Sequence, residues 1–247
     1  MNPLRIGAAC ALLSVMLAAP LRAGANPADY VLTPNVVQGE REIDFKFGSA
    51  SMRDADALHA ASLGLGYSPT AWWFTEVYAK YQRQGGPTHA DAVEWENRFM
   101  LTEPGKYPVD VGALLEIERP RDHAEGWELR WGPLLQADAG PWQLNANLLL
   151  QRHYGSATPS QTLMQYQLQA KYRYSRPLDF GVQAFGEFGP WRHFSLGSEQ
   201  THLIGPALFG QIALQGREKL VWNAGLLFGT THASADRTLR AQVEYEF

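Results

Sequence analysis

The chain has 247 residues, 45% hydrophobic and 12% aromatic, with a formal net charge of −4. A composition this apolar excludes a disordered chain, and so small a charge gives no footprint for nucleic acid. After residue 25 no stretch reaches the roughly eighteen consecutive apolar residues of a transmembrane helix, which leaves membrane-crossing strands open.

Residues 1–25 read as a cleaved secretory signal peptide. A basic n-region ends at Arg5, residues 6–19 form an apolar run, and Ala23, Gly24 and Ala25 supply small residues at the cut. An uncleaved anchor is the alternative, but the run is shorter than a bilayer span. The single cysteine, Cys10, falls inside this run, so a processed chain would hold neither disulfides nor thiolate ligands. Residues 26–39, with Pro27, Pro34 and Gly39, are expected to be an extended periplasmic lead-in, and residues 40–247 a single domain.

From residue 40 onward the sequence alternates with period two between turn signals, the signature of half-apolar strands. Ile43, Phe45 and Phe47 oppose Glu42, Asp44 and Lys46, and Leu63, Leu65 and Tyr67 oppose Ser62, Gly64 and Gly66. Trp73, Thr75, Val77 and Ala79 oppose Glu76, Tyr78 and Lys80. Val93, Trp95 and Phe99 oppose Glu94, Glu96 and Arg98, with Asn97 an imperfection on the apolar side. Val111, Ala113, Leu115 and Ile117 oppose Asp110, Glu116 and Glu118; Trp127, Leu129 and Trp131 oppose Glu128 and Arg130. Pro133 interrupts that run and predicts a bulge, because proline cannot donate to a ladder. In the second half Trp142, Leu144 and Leu148 oppose Gln143, Asn145 and Asn147. Tyr166, Leu168 and Tyr172 oppose Gln165, Gln167, Gln169, Lys171 and Arg173, and Phe180 and Val182 oppose Gln183 and Glu187. Leu208 and Ile212 oppose Phe209 and Gln211, and Leu220 and Trp222 oppose Val221 and Asn223. Finally, Leu239, Val243, Tyr245 and Phe247 oppose Arg240, Gln242, Glu244 and Glu246.

Twelve such runs result, and their connections alternate in length. Segments 68–70, 103–108, 137–141, 176–179 and 215–219 are read as tight, and those between them as longer. An even strand number with alternating turns places both ends of the domain on one side. The expected fold is therefore all-β: a closed antiparallel transmembrane β-barrel of about 12 strands, apolar towards lipid and polar towards the lumen. A soluble β-sandwich or lipocalin-like barrel alternates too, but would have to bury the Glu, Arg, Lys, Gln and Asn of the second face in a dry core.

The terminal run, ending Val243-Glu244-Tyr245-Glu246-Phe247, resembles the last strand of Gram-negative outer-membrane β-barrels of the porin and transporter kind. That resemblance implies an outer-membrane location, contact with outer-membrane lipid, and a barrel-assembly machinery that reads Tyr245 and Phe247. The segment Leu63-Gly64-Leu65-Gly66-Tyr67 is similar to small barrels associated with phenol-degradation pathways.

The lumen is expected to carry the chemistry. Acids (Asp44, Glu76, Glu94, Glu96, Asp110, Glu116, Glu128, Glu187, Glu244) outnumber bases (Lys46, Lys80, Arg98, Arg130, Lys171, Arg173, Arg240). Carboxylate excess predicts passive passage of small solutes or ions with a mild preference for cations, without a cofactor. The competing reading is a plugged barrel whose charges pair; inward Phe74, Tyr78, Leu114, Phe185 and Phe209 are expected to narrow any passage. All seven histidines fall at or beside the longer connections, making His153, His193, His202 and His232 candidate metal ligands, although none has HxH or HExxH spacing. A lipid-modifying hydrolase would need a nucleophile with its base, for which His153 with Ser156 and His193 with Ser195 are the candidates.

Overall fold

The computed structural model describes residues 26–175 and 177–247. The expected signal peptide, 1–25, lies outside the described residues, as does Arg176 of the expected 176–179 turn. Twelve strands form: β1 Arg41–Ser51, β2 Leu58–Thr70, β3 Trp73–Arg83, β4 His89–Met100, β5 Asp110–Pro120, β6 Trp127–Ala139, β7 Trp142–Tyr154, β8 Leu163–Ser175, β9 Leu178–Pro190, β10 Thr201–Ala213, β11 Lys219–Gly229 and β12 Arg237–Glu246. Each pairs antiparallel with its neighbour in sequence, and β1 pairs with β12 from Glu42↔Glu246 to Ser51↔Arg237. That last pairing closes the sheet and leaves no edge with unpaired amides.

Side-chain alternation follows the expected phase. On β1, Glu42, Asp44 and Lys46 are buried while Ile43, Phe45 and Phe47 are exposed, and the same in-out rhythm runs around the barrel. Leu65 is 65% exposed and Val77 50%, although both lie mid-strand. A continuous outer band of this kind would be costly in water; hydrocarbon is the solvent that suits it. Rings mark both rims of the band. Near the short turns Trp142 meets Tyr172 edge-on (5.1 Å), and Tyr172 stacks on Phe180 (5.3 Å). Towards the other rim Trp127 and Tyr154 stand exposed and pair across β6 and β7. Asn97, the polar intruder on this face, is 2% exposed because the Trp73 indole covers it and donates to its Oδ1 (3.0 Å).

Two local expectations need correction. Pro133 makes no bulge. It points outward, the β6–β7 pairing lapses beside it, and the register resumes unchanged at Leu134↔Asn147. Gly132 makes this possible: a Cβ there would sit 2.1 Å from the Leu148 carbonyl oxygen, so the strand leans on its neighbour where proline offers no donor. The register shifts instead at Tyr67/Thr70, Lys80/Tyr81, Met164/Gln165 and Tyr172/Ser175. The second correction concerns 103–108. Residues 101–109 separate β4 from β5, so this connection is not tight; Gly105 N donates to Asp110 Oδ1 (2.8 Å) and Val111 N to Thr102 Oγ1 (2.9 Å) to hold it. The three shortest connections, 71–72, 140–141 and 176–177, do lie at the end that carries the start of β1 and the end of β12.

The largest departure is at the start of the domain. Residues 26–39, expected as a periplasmic lead-in, run inside the barrel as a strap. Ala28, Val31, Leu32 and Val36 are all buried, and Leu32 is only 1% exposed. Successive side chains of an extended segment point opposite ways. Accordingly Leu32 packs on Leu114, Leu134 and Leu149 of β5–β7, while Val31 packs on Phe185, Leu203 and Leu227 of β9–β11. Two adjacent residues thus bridge opposite walls. Leu114 and Phe185, expected to narrow an open passage, are the seats for the strap.

At the short-turn rim, Glu40 sits where the strap turns into β1. Burial first, then the hydrogen bond and negative charge of Glu246, push its carboxyl up to about 8, against the opposing pull of Lys219. A carboxyl whose folded pKa is raised stabilises the fold fully below its ordinary value of 4.5 and loses that contribution as pH rises through about 8. Glu40→Gln is therefore expected to flatten the stability profile between those values and to be more stable than the parent at pH 9. Denaturant melts in detergent across that range check it; a parallel profile for the two proteins would contradict the assignment.

Candidate functional site

The lumen has two chemically different walls. One, built from β1–β6 and β12, is charged and paired. Lys46 Nζ lies 3.4 Å from Asp44 and is sandwiched between the rings of Tyr30 (3.8 Å) and Tyr78 (3.6 Å). The Tyr78 hydroxyl sits between Asp44 (2.7 Å) and Glu76 (2.6 Å). Lys80 bridges Glu94 (2.9 Å) and Glu118 (2.5 Å), and Arg98 meets Glu96 (3.1 Å) over the Phe74 ring. Arg130 grips both oxygens of Glu116 in the fork geometry that guanidinium favours.

The other wall, β6–β9, is almost uncharged and consists of carboxamides. Gln183 donates to Gln169 (2.7 Å), Gln169 to Asn145 (3.2 Å), and Asn145 to Gln136 (3.0 Å). Period-two spacing puts Gln136, Gln143, Asn145, Asn147, Gln167, Gln169 and Gln183 on inward positions of these strands, and the register sets them side by side.

The strap is fastened to both walls. Asp29 meets Arg130 (3.3 Å) and the Tyr30 hydroxyl donates to Glu96 (3.3 Å) on the charged side. On the amide side Asn147 donates to the Leu32 carbonyl (2.9 Å), and Leu32 N donates to Gln167 (3.2 Å). Glycines make room: a Cβ on Gly48 would lie 2.1 Å from the Pro27 carbonyl carbon, and one on Gly112 2.8 Å from Pro34. Between the strap and the short-turn end lies a vestibule of about 690 Å³, lined by Glu42, Arg98, Gln143, Gln169, Lys171, Arg173, Gln183 and Glu244 among others. On the strap's other side, around Lys80, Glu94 and Arg130, lies a second cavity of about 10 Å³.

Most of the sequence candidates therefore meet in one lumen, with Asp44, Lys46, Glu76, Lys80, Glu94, Glu96, Arg98, Glu116, Arg130, Arg240 and Glu244 on inward positions. Some stand apart. Asp110 closes the 101–109 connection, Arg173 pairs with Asp138 (2.8 Å) at the short-turn rim, and Glu187 takes a hydrogen bond from Gln165 (3.2 Å). Glu128 faces His153 (3.3 Å). The residues missed by charge-based reasoning are Asn147, Gln167, Leu114 and Phe185, which hold the strap; inward glycines at 48 and 112 were the available signal.

The histidines do not converge. His153 spends its ring nitrogens on Glu128 and the Glu125 carbonyl, His202 spends its own on Tyr166 and Gln200, and His193 and His232 stand exposed. Among the described residues the one group with metal-like spacing is Glu94, Glu96 and Glu116, and each already meets a cation. Neither serine joins its histidine: Ser156 Oγ donates to the Thr158 carbonyl (2.6 Å), and Ser195 Oγ lies against Gly189. Tyr245 and Phe247 stack at 5.3 Å on the outward face of the last strand.

No protein-family model and no curated protein matches the chain. Among solved structures it is similar to the COG4313 outer membrane channel from Pseudomonas putida F1, at a TM-score of 0.55 and 11% identity, over 89% of this chain and 98% of that one. Lesser similarity extends to a bacterial polysaccharide outer membrane secretin (TM-score 0.37, 10% identity, 86% and 99% covered). It extends also to OccK2 (OpdF) of Pseudomonas aeruginosa (TM-score 0.28, 8% identity, 85% and 96% covered). The first likeness shows a shared fold, the closed antiparallel β-barrel.

Proposed function

We propose that this chain is an outer-membrane channel that passes small polar solutes or ions passively, with the N-terminal strap as its internal restriction. One observation carries the reading: a vestibule of about 690 Å³, open towards the short-turn end and polar on both walls, ends at a strap held by a handful of contacts. A purely structural barrel of this girth would be expected to fill its lumen throughout, as eight-stranded barrels do. Above about pH 8, where Glu40 is ionised, the vestibule's acids (Glu40, Glu42, Asp179, Glu244 and Glu246) outnumber its bases (Arg98, Lys171, Arg173 and Lys219), which favours cations there. Tyr245 and Phe247 supply the signal for assembly into that membrane, and outer-membrane lipid is the solvent of the apolar band.

A plugged barrel is the second reading, favoured by the way Val31 and Leu32 bridge opposite walls. Reconstitution in planar bilayers decides between them. The expected result is small but measurable conductance, with a reversal potential in a potassium chloride gradient displaced towards the potassium equilibrium value. Silence from the full chain, shown to be folded, beside current from a strap-deleted chain would leave the plug. A hydrolase has less support, since among the described residues neither Ser156 nor Ser195 hydrogen-bonds a histidine.

A further inference from the structure

Most charged groups of the vestibule already have partners. Arg98 meets Glu42 (3.7 Å) and Glu96 (3.1 Å), Arg173 meets Asp138 (2.8 Å), and Lys219 meets Glu246. Glu40, its carboxyl held at about 8, keeps its proton at neutral pH. Lys171 on β8 is different: among the described residues it has neither an ion pair nor a hydrogen bond, and its ammonium lies 5.6 Å from the centre of the Phe209 ring. Asp138 and Asp179, whose fields reach it, are committed to Arg173 and to the Tyr174 and Ser175 amides. Glu244 on β12 is the matching acid. It accepts a hydrogen bond from Gln242 but meets no cation among the described residues.

Both side chains line the same cavity of about 690 Å³, and both are only partly buried, so each can be reached from it. That volume falls within the roughly 300–1,000 Å³ usual for small-molecule sites. Beside Lys171 the register places Gly181 and then Ala207, so this flank carries little side-chain bulk. Further round, Phe209 and Val221 line the cavity between the two charges and add none of their own. Four inter-strand steps of about 4.8 Å separate β8 from β12 along this wall, and a long side chain reaches inward from each end. Such a gap suits opposite charges held several carbons apart.

We infer that the vestibule binds small zwitterions whose carboxylate and ammonium are joined by a short aliphatic chain, the carboxylate on Lys171, the ammonium on Glu244 and the chain along Phe209 and Val221. The assignment rests on reading the lumen as a solute path and adds a solute class to it. A partly buried charge without a counter-ion is costly, and each end of such a solute supplies one. A solute with a single charge relieves one cost and leaves the other.

The test uses the folded full-length barrel in detergent at pH 7, with 5-aminopentanoate, pentanoate, pentylamine and glycine as probes at matched ionic strength. Ligand that binds only the folded form raises its melting temperature with occupancy. The largest rise should come from 5-aminopentanoate; glycine, whose charges are adjacent, should do no better than the two singly charged probes. Lys171→Met should weaken 5-aminopentanoate about tenfold or more, the size of a lost charged hydrogen bond, and bring it to the pentylamine level. Glu244→Gln should bring it to the pentanoate level instead, and either variant carries the test if the other does not fold. A rise from pentanoate, pentylamine or glycine equal to that from 5-aminopentanoate, or a 5-aminopentanoate advantage that survives both substitutions, would overturn the site. Because binding is read without current, a barrel that conducts but shows no such preference sinks only this assignment.

Discussion

A chain lacking residues 26–38 is expected to fold into the same barrel and to conduct several-fold more than the full chain in planar bilayers. The ladder that closes the barrel, from Glu42↔Glu246 to Ser51↔Arg237, does not involve the strap. What the deletion removes is the bridge from Leu32 on one wall to Val31 on the other. Burial of each of these side chains is worth about 1.5–3 kcal/mol, enough to hold the strap but small beside a twelve-strand ladder. Gly48→Leu offers the same outcome without touching the strap. Its Cβ would strike the Pro27 backbone at 2.1 Å, and backbone cannot swing aside as a flexible side chain can. Both variants should raise single-channel conductance; unchanged current in both, with heat-modifiable folded bands on gels, would mean that solutes bypass the strap.

The second large effect is on stability. Arg130→Met is expected to destabilise the barrel by about 3–5 kcal/mol, because it leaves a buried charge without its partner. Glu116, with a side chain 3% exposed, has both oxygens on that guanidinium, and Asp29 reaches it from the strap. Arg130→Met combined with Glu116→Met should recover most of the loss, since removing both members of a buried pair removes the uncompensated charge as well. Denaturant unfolding in detergent measures both. If the double variant is no more stable than the single one, the loss comes from packing, and the pair is not what holds this part of the lumen.

The sequence carried the strand count, the in-out phase and the charged lumen because a period of two is short and each strand repeats it independently. Where a residue broke the pattern, tertiary packing decided. Asn97 looks wrong on the outer face only until the Trp73 indole covers it. Pro133 should have bulged, but Gly132 lets the strand press against the Leu148 carbonyl and keep its register. The strap was illegible for a different reason. Residues 26–39 carry no repeat, and Val31 and Leu32 acquire meaning only beside Leu114, Leu134, Leu149, Phe185, Leu203 and Leu227, which come from six other strands. The inward apolar residues and the glycines at 48 and 112 were visible, but as isolated exceptions. Together they mark a surface built to receive backbone. The chain of hydrogen-bonded amides from Gln183 to Gln136 was hidden for the same reason: which polar groups pair with one another is a property of the assembled lumen.

Collision accessibility of a nitroxide spin label at two single-cysteine sites tests the account most directly. A label at Leu65, 65% exposed on the apolar band, should relax with dissolved oxygen and ignore a water-soluble nickel chelate; one at Gln169, which faces the vestibule, should do the reverse. Nickel access at Leu65 together with oxygen access at Gln169 would place water outside and hydrocarbon within, and neither the channel nor its strap would stand.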